Sequence, residues 1–163
     1  MLIIMKQSTS KIIENLLPNL KKKEDEEWTL WEHKTLNTHR AVLLWQPKFS
    51  KISYPELAAI IRQKISDNYK RSWWRGFAFG VIIDVQTMPD QVDLINDYID
   101  IRDNKKGTWQ WSILVCQDKK TIIATHTWIA GFLTPLYQTI LENYSSKNYD
   151  LQQHSGNTHR PSG

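Results

Sequence analysis

The spacing of apolar and polar positions along the chain predicts four helices and five strands. Apolar residues that recur every three or four positions, as on one face of a helix, occupy residues 10–20, 53–69, 87–101 and 129–144. Alternating or continuous apolar runs, which are typical of strands, occupy residues 28–33, 40–46, 77–85, 108–117 and 120–127. The predicted element order is therefore α-β-β-α-β-α-β-β-α.

This order predicts the fold class. Short polar connections at residues 34–39 and 118–119 predict two antiparallel hairpins. A helix between two strands predicts a crossover connection, which is right-handed by strong preference. We therefore expect an α+β (or α/β) fold, with a mixed sheet of about five strands and three to four helices packed on it in a single compact domain.

Two parts of the chain, residues 53–81 and 87–115, resemble each other at an offset of 34 positions. Ser53-Tyr54-Pro55-Glu56 opens the first unit and Thr87-Met88-Pro89-Asp90 opens the second. Ser53 and Glu56 have the spacing of a capping box, and proline is tolerated in a first helical turn. Each unit is therefore predicted to be a capped helix, a basic loop and a strand that begins with an aromatic residue. The similarity is explained either by duplication or by two independent helix–strand units that use the same local signals.

The two ends of the chain differ in composition from its middle. Residues 1–27 read as an amphipathic helix followed by a charged linker, in which three lysines from Lys21 precede four acids from Glu24. Residues 146–163 are polar, and we expect a disordered tail there. The globular domain is expected to span residues 28–145.

Composition narrows the possible classes of function. The chain has 163 residues, 40% of them hydrophobic and 23% charged, as in an ordinary globular domain. Its net charge of +4 is low for a dedicated nucleic-acid binder. The single cysteine, Cys116, excludes an internal disulfide and a multi-cysteine zinc site. There is no apolar run near 18 residues and no signal-peptide pattern, so no membrane span is expected, and the expected location is the cytoplasm.

The chain is unusually rich in tryptophan, with eight residues, and this content leads to the first functional hypothesis. Such residues either fill the core of a small domain or form hot spots at an interface. Segment 69–77 interleaves cations with aromatic rings, a mixture found on protein-binding and nucleic-acid-binding surfaces, or simply at a basic helix end beside the core. The candidate contact residues are Trp31, Lys70, Arg71, Trp73, Trp74 and Arg75.

The preferred interpretation is a non-enzymatic domain that binds a protein partner or itself, and nucleic-acid binding through segment 69–77 is the alternative. A third hypothesis is a metal-dependent hydrolase or nuclease. Such enzymes place an acid on one strand and an acid-x-lysine pair on the next, and Asp84 with Asp118 and Lys120 has that spacing, although Asp118 falls where a turn is expected. His126 could act as a general base or be a satisfied, half-buried histidine. Neither a cofactor loop nor a histidine pair with metal-ligand spacing occurs, so no cofactor and no metal are predicted.

Overall fold

A computed structural model of the chain describes residues 2–48, 52–68, 76–99, 109–127, 129, 131 and 133–155. The helices are α1 (Leu2–Leu16), α2 (Tyr54–Asn68), a 3-10 helix (Val92–Tyr98) and α3 (Thr134–Ser145). The strands are β1 (Lys21–Glu24), β2 (Trp28–Lys34), β3 (Thr38–Trp45), β4 (Gly76–Val85), β5 (Trp111–Cys116), β6 (Thr121–His126) and β7 (Asp150–Ser155). The described chain is thus a mixed α+β fold, as predicted.

The seven strands form one sheet in which the spatial order equals the chain order. Strands β3, β4 and β5 are parallel to one another, and β6 is parallel to β7. The pairs β1–β2, β2–β3 and β5–β6 are antiparallel, which confirms both predicted hairpins. The sheet therefore has two more strands than the five expected.

The two additional strands lie at the two edges of the sheet, where the sequence-based prediction was wrong. Residues 21–24 are strand β1 rather than part of a linker, and residues 150–155 are strand β7 rather than part of a disordered tail. Both strands are polar and largely exposed, so neither has the apolar alternation by which an internal strand is recognised. Backbone pairing with the adjacent strand holds them instead.

The sheet has a hydrophobic core on each face. One core contains α2 and the 3-10 helix, and the other contains α1 and α3. Strand direction reverses between β5 and β6. Before this reversal, α2 and the 3-10 helix connect parallel strands on one face of the sheet. After it, α3 connects β6 to β7 on the other face. All three crossovers consequently have the same hand, as the strong preference for one hand requires.

The predicted capping box is present at the start of α2. The backbone N–H of Ser53 donates to Glu56 Oε2 at 3.0 Å, and the N–H of Glu56 donates to Ser53 Oγ at 3.4 Å. These bonds satisfy amides that the first helical turn leaves without an intrahelical acceptor.

The second repeat unit does not form the predicted capped α-helix. The hydroxyl of Thr87 donates to Asp118 Oδ2 at 3.2 Å, and residues 92–98 form the 3-10 helix. The segment before it lies beside the start of α2, where the N–H of Tyr54 donates to the carbonyl of Asp90 at 2.7 Å. Asp90 is therefore a backbone bridge to the first unit, and the two similar motifs are neighbours with different structures.

Gly80 makes room for an aromatic ring on the α1/α3 face of the sheet. Gly80 is the register partner of Trp111 on the adjacent strand. A Cβ atom added at Gly80 would lie 1.9 Å from two carbons of the Trp111 indole. The close neighbour of Gly80 on this face is therefore a side chain of the adjacent strand.

Candidate functional site

A buried aspartate lies where the three central parallel strands end. Asp84 is near the end of β4, and Gln46 and Gln117 directly follow β3 and β5 on the same face. Gln46 Nε2 donates to Asp84 Oδ2 at 3.0 Å, and Gln117 Nε2 donates to Asp84 Oδ1 at 2.7 Å. The hydroxyl of Tyr149 donates to Gln117 Oε1 at 2.7 Å. A polar chain thus links the ends of β3, β4 and β5 to the residue before β7.

The electrostatics of this cluster follow from its burial. Asp84 is 3% exposed, and this burial raises its pKa above the usual aspartate range, although the hydrogen bonds from Gln117 and Gln46 oppose the shift. Burial, and then the nearby Asp84 charge, raise the pKa of Tyr149 as well, so its hydroxyl remains a donor. The cluster holds a carboxyl group in a place that disfavours its ionised form.

The structure gives Asp84 and Asp118 separate partners. Asp118 is exposed in the turn between β5 and β6, where it accepts hydrogen bonds from Thr87 Oγ1 and Gln86 Nε2. Lys120 is exposed in the same turn, with a left-handed φ of 46°. Among the described residues, no three His, Cys, Asp or Glu side chains are placed to share a metal ion. The expected turn at Asp118 is confirmed, and the hydrolase hypothesis stays a prediction.

His126 ends β6 and is half-buried. Its Nδ1 atom lies 3.4 Å from the Tyr137 hydroxyl, and the two rings meet edge to face with centroids 5.7 Å apart. These contacts pack His126 beside α3, and its role as a general base stays a prediction.

The described tryptophans are mostly core residues. Trp31 is 1% exposed and packs beneath α1 and α3, so its side chain is not at the surface as a contact residue would be. Trp45, Trp109 and Trp111 are equally buried, and Trp28 stacks on Trp45 with ring centroids 4.5 Å apart. The other candidate contacts, Lys70, Arg71, Trp73, Trp74 and Arg75, lie outside the described residues.

A buried Glu32–His39 pair on the α2 face, which the exposed Lys23 also contacts, was missed by sequence reasoning. Glu32 Oε2 lies 2.8 Å from His39 Nε2, and Glu32 Oε1 lies 2.7 Å from Lys23 Nζ. Burial acts to raise the pKa of Glu32, but the hydrogen bonds and the electrostatic attraction from Lys23 and His39 together outweigh it and lower the pKa. These contacts could be recognised only with the pairing register of β1, β2 and β3, because Lys23 belongs to strand β1, which was not predicted.

The two edges of the sheet differ in chemistry. Strand β1 has the sequence Lys-Lys-Lys-Glu, and charged lysines are a common protection of edge strands against further pairing. Strand β7 has the sequence Asp-Leu-Gln-Gln-His-Ser, with no lysine, arginine or proline. Its side chains from Asp150 to Gln153 are exposed, and Leu151 is an exposed large apolar residue at 36%. The sheet therefore has one protected edge and one without these protections.

The outer backbone groups of β7 can be identified. The N–H of Asp150 donates to the carbonyl of Lys120 at 2.9 Å, so the backbone of Asp150 faces β6. Because backbone direction alternates along a strand paired in parallel, Gln152 and His154 also face β6. The N–H and C=O groups of Leu151, Gln153 and Ser155 consequently point away from the sheet.

Comparison of the chain with protein-family models, with curated proteins and with solved structures returned no match. Within the part of the chain that the structure describes, no helix has the length and apolar character needed to cross a bilayer.

Proposed function

We propose that this protein is a non-enzymatic protein–protein interaction domain that binds an extended segment along the outer edge of β7. The observation that carries the proposal is the row of outward backbone groups at Leu151, Gln153 and Ser155 on a strand without lysine, arginine or proline. Strand addition of this kind draws affinity from main-chain hydrogen bonds and selectivity from the alternating side chains.

The chemistry of the acidic residues is consistent with a structural role for them. The carboxylate of Asp84 is engaged by Gln46 and Gln117, and that of Asp118 by Gln86 and Thr87. Each therefore joins chain segments that are distant in sequence. This favours interaction over catalysis as the function of the domain.

Segment 69–77 provides a second, independent contact in this proposal. Its three cations and four aromatic residues have the composition of a binding surface. Nucleic-acid binding through the same segment stays the alternative, and it predicts an affinity that falls steeply with salt because bound phosphates release counterions.

The experiment uses a library of displayed random peptides, selected in parallel against the wild-type protein and the variant Gln153→Pro. Proline at this position removes an outward N–H that the pairing with β6 does not use, so the fold is retained. The matched control is Gln153→Ala, which keeps the N–H. We expect peptides that bind the wild type and Gln153→Ala at least about tenfold more tightly than Gln153→Pro, a difference of about 1.4 kcal/mol. Peptides that bind all three proteins equally, or a selection without binders, would contradict the proposal.

A further inference from the structure

We infer that the segment that pairs with β7 is β7 of a second copy of this chain, in antiparallel orientation about a two-fold axis at Gln152. The inference rests on the proposed function and names its partner. The two sheets would then continue into each other across the interface.

The backbone geometry of β7 is self-complementary. In an antiparallel pair, directly opposed residues share a face of the sheet, and hydrogen-bonded pairs join residues whose backbone groups point at each other. With Gln152 opposite its own counterpart, Leu151 faces Gln153 of the second copy and Gln153 faces Leu151. Leu151 and Gln153 of both copies have outward backbone groups, so every paired donor meets an acceptor.

The side chains in this register are complementary in charge. Asp150 of each copy faces His154 of the other, on the face of the sheet opposite α3. A histidine donates a hydrogen bond to a carboxylate through a ring N–H when neutral, and it adds an ionic attraction when protonated. Two such pairs flank the Gln152 pair, and opposite charges in facing positions stabilise strand pairing.

The other face gains apolar burial from the same register. Leu151 is aligned with Ile122, which lies in the core beneath α3, so Leu151 is on the α3 face. Its exposed side chain would pack on the methylene groups of Gln153 from the second copy. Pairing of two β1 edges would instead bring two Lys21–Lys23 runs together, and like charges in facing positions are destabilising. Pairing of β7 with β7 also closes the assembly as a dimer.

The contact is small. It joins two six-residue strands, so it should bury less than the roughly 1,200–2,000 Å² of a standard stable interface. We therefore expect a weak, concentration-dependent dimer with a dissociation constant on the order of micromolar or above.

The test is sedimentation velocity across about two orders of magnitude of concentration in the micromolar range, on the wild type and on three variants. We expect the wild-type mass to rise from 19.2 kDa towards twice that value. Gln153→Pro should remain monomeric and Gln153→Ala should dimerise. Gln152→Lys, which places two ammonium groups face to face without touching the backbone, should also remain monomeric even if the proline variant fails to fold.

The register is tested by oxidative cross-linking. Gln152→Cys should form a disulfide-linked dimer, because facing residues of a non-hydrogen-bonded pair have Cα atoms about 4.5 Å apart. Gln153→Cys should cross-link poorly, because the two copies of that residue lie diagonally, about 7–8 Å apart. Native Cys116 is fully buried and does not compete.

The outcomes distinguish the second-copy inference from the proposed function. A protein that stays monomeric, yet selects peptides sensitive to Gln153→Pro, overturns the second-copy inference and leaves the proposed function standing. A monomer that selects no such peptides overturns both. A dimer insensitive to both Gln153→Pro and Gln152→Lys uses another surface, and it also overturns the inference.

Discussion

The structural roles of single residues in this protein could be predicted only in part from the sequence. Asp84 was recognisable because an acid ends an apolar strand, but its partners Gln46 and Gln117 were not singled out. Each follows an apolar strand directly, and three parallel strands that end at one edge bring such residues together. The role of Gly80, which is to leave space for the Trp111 ring of the neighbouring strand, likewise depends on the strand register.

Asp84 should make stability depend on pH. Because the folded state raises the pKa of Asp84, its protonated form contributes stability that is present below the ordinary aspartate pKa and is lost as pH rises through the raised value. Replacement by Asn removes this titration. We expect the wild type to lose stability relative to Asp84→Asn as the pH is raised from acid towards neutral, measured by chemical denaturation at each pH.

Asp84→Ala tests the hydrogen bonds rather than the charge. It removes the acceptor that Asp84 provides to the Gln46 and Gln117 amides, at a cost of about 1–3 kcal/mol in the free energy of unfolding for each donor that stays buried and gains no other acceptor. Equal stability of the wild type and both Asp84 variants at every pH would contradict this account of the cluster.

Gly80→Ala should destabilise the sheet through a clash with Trp111. Overpacking of this kind typically costs about 1–3 kcal/mol in the free energy of unfolding. Trp111→Leu removes the obstructing ring and is destabilising on its own, since large-to-small core changes cost several kcal/mol. In a double-mutant cycle, Gly80→Ala should cost less in the Trp111→Leu background. Additive costs would show that the ring does not occupy the space above Gly80.

At the scale of elements, two similar sequences become different structures. The proline motif at Ser53 is followed by a regular apolar helical face, so α2 forms and the capping box closes at its start. The motif at Thr87 is held by a side-chain bond to Asp118 and by backbone bonds between Asp90 and the start of α2. Tertiary contacts override the local signal there.

Alanine substitution of the two motif-opening residues distinguishes these roles. Ser53→Ala removes a helix cap and should lower the free energy of unfolding by about 0.5–2 kcal/mol. Thr87→Ala removes only an exposed hydrogen bond, so its effect should stay within about 0.5 kcal/mol. Denaturant titration of both variants measures the difference. A loss of unfolding free energy in Thr87→Ala as large as that in Ser53→Ala would indicate that the two motifs have the same structural role.

At the scale of the whole molecule, the sequence predicted the interior of the sheet and not its edges. Internal strands bury apolar side chains, so β2 to β6 could be recognised by composition and spacing. Edge strands β1 and β7 need only backbone partners, and their polar sequences look like linker and tail. The proposed site lies on β7, so it could not be predicted from the pattern of apolar and polar residues.

The most direct test of this account is amide hydrogen exchange along β7, resolved by residue with NMR at low and high protein concentration. We predict that Gln152 and His154, which face β6, are protected at both concentrations. The amides of Leu151 and Gln153 should exchange rapidly in dilute protein and become protected at high concentration, as outward groups that pair with a second copy must. Exchange at Leu151 and Gln153 that does not change with concentration would contradict self-pairing, and equal protection of all four amides in dilute protein would contradict an open edge.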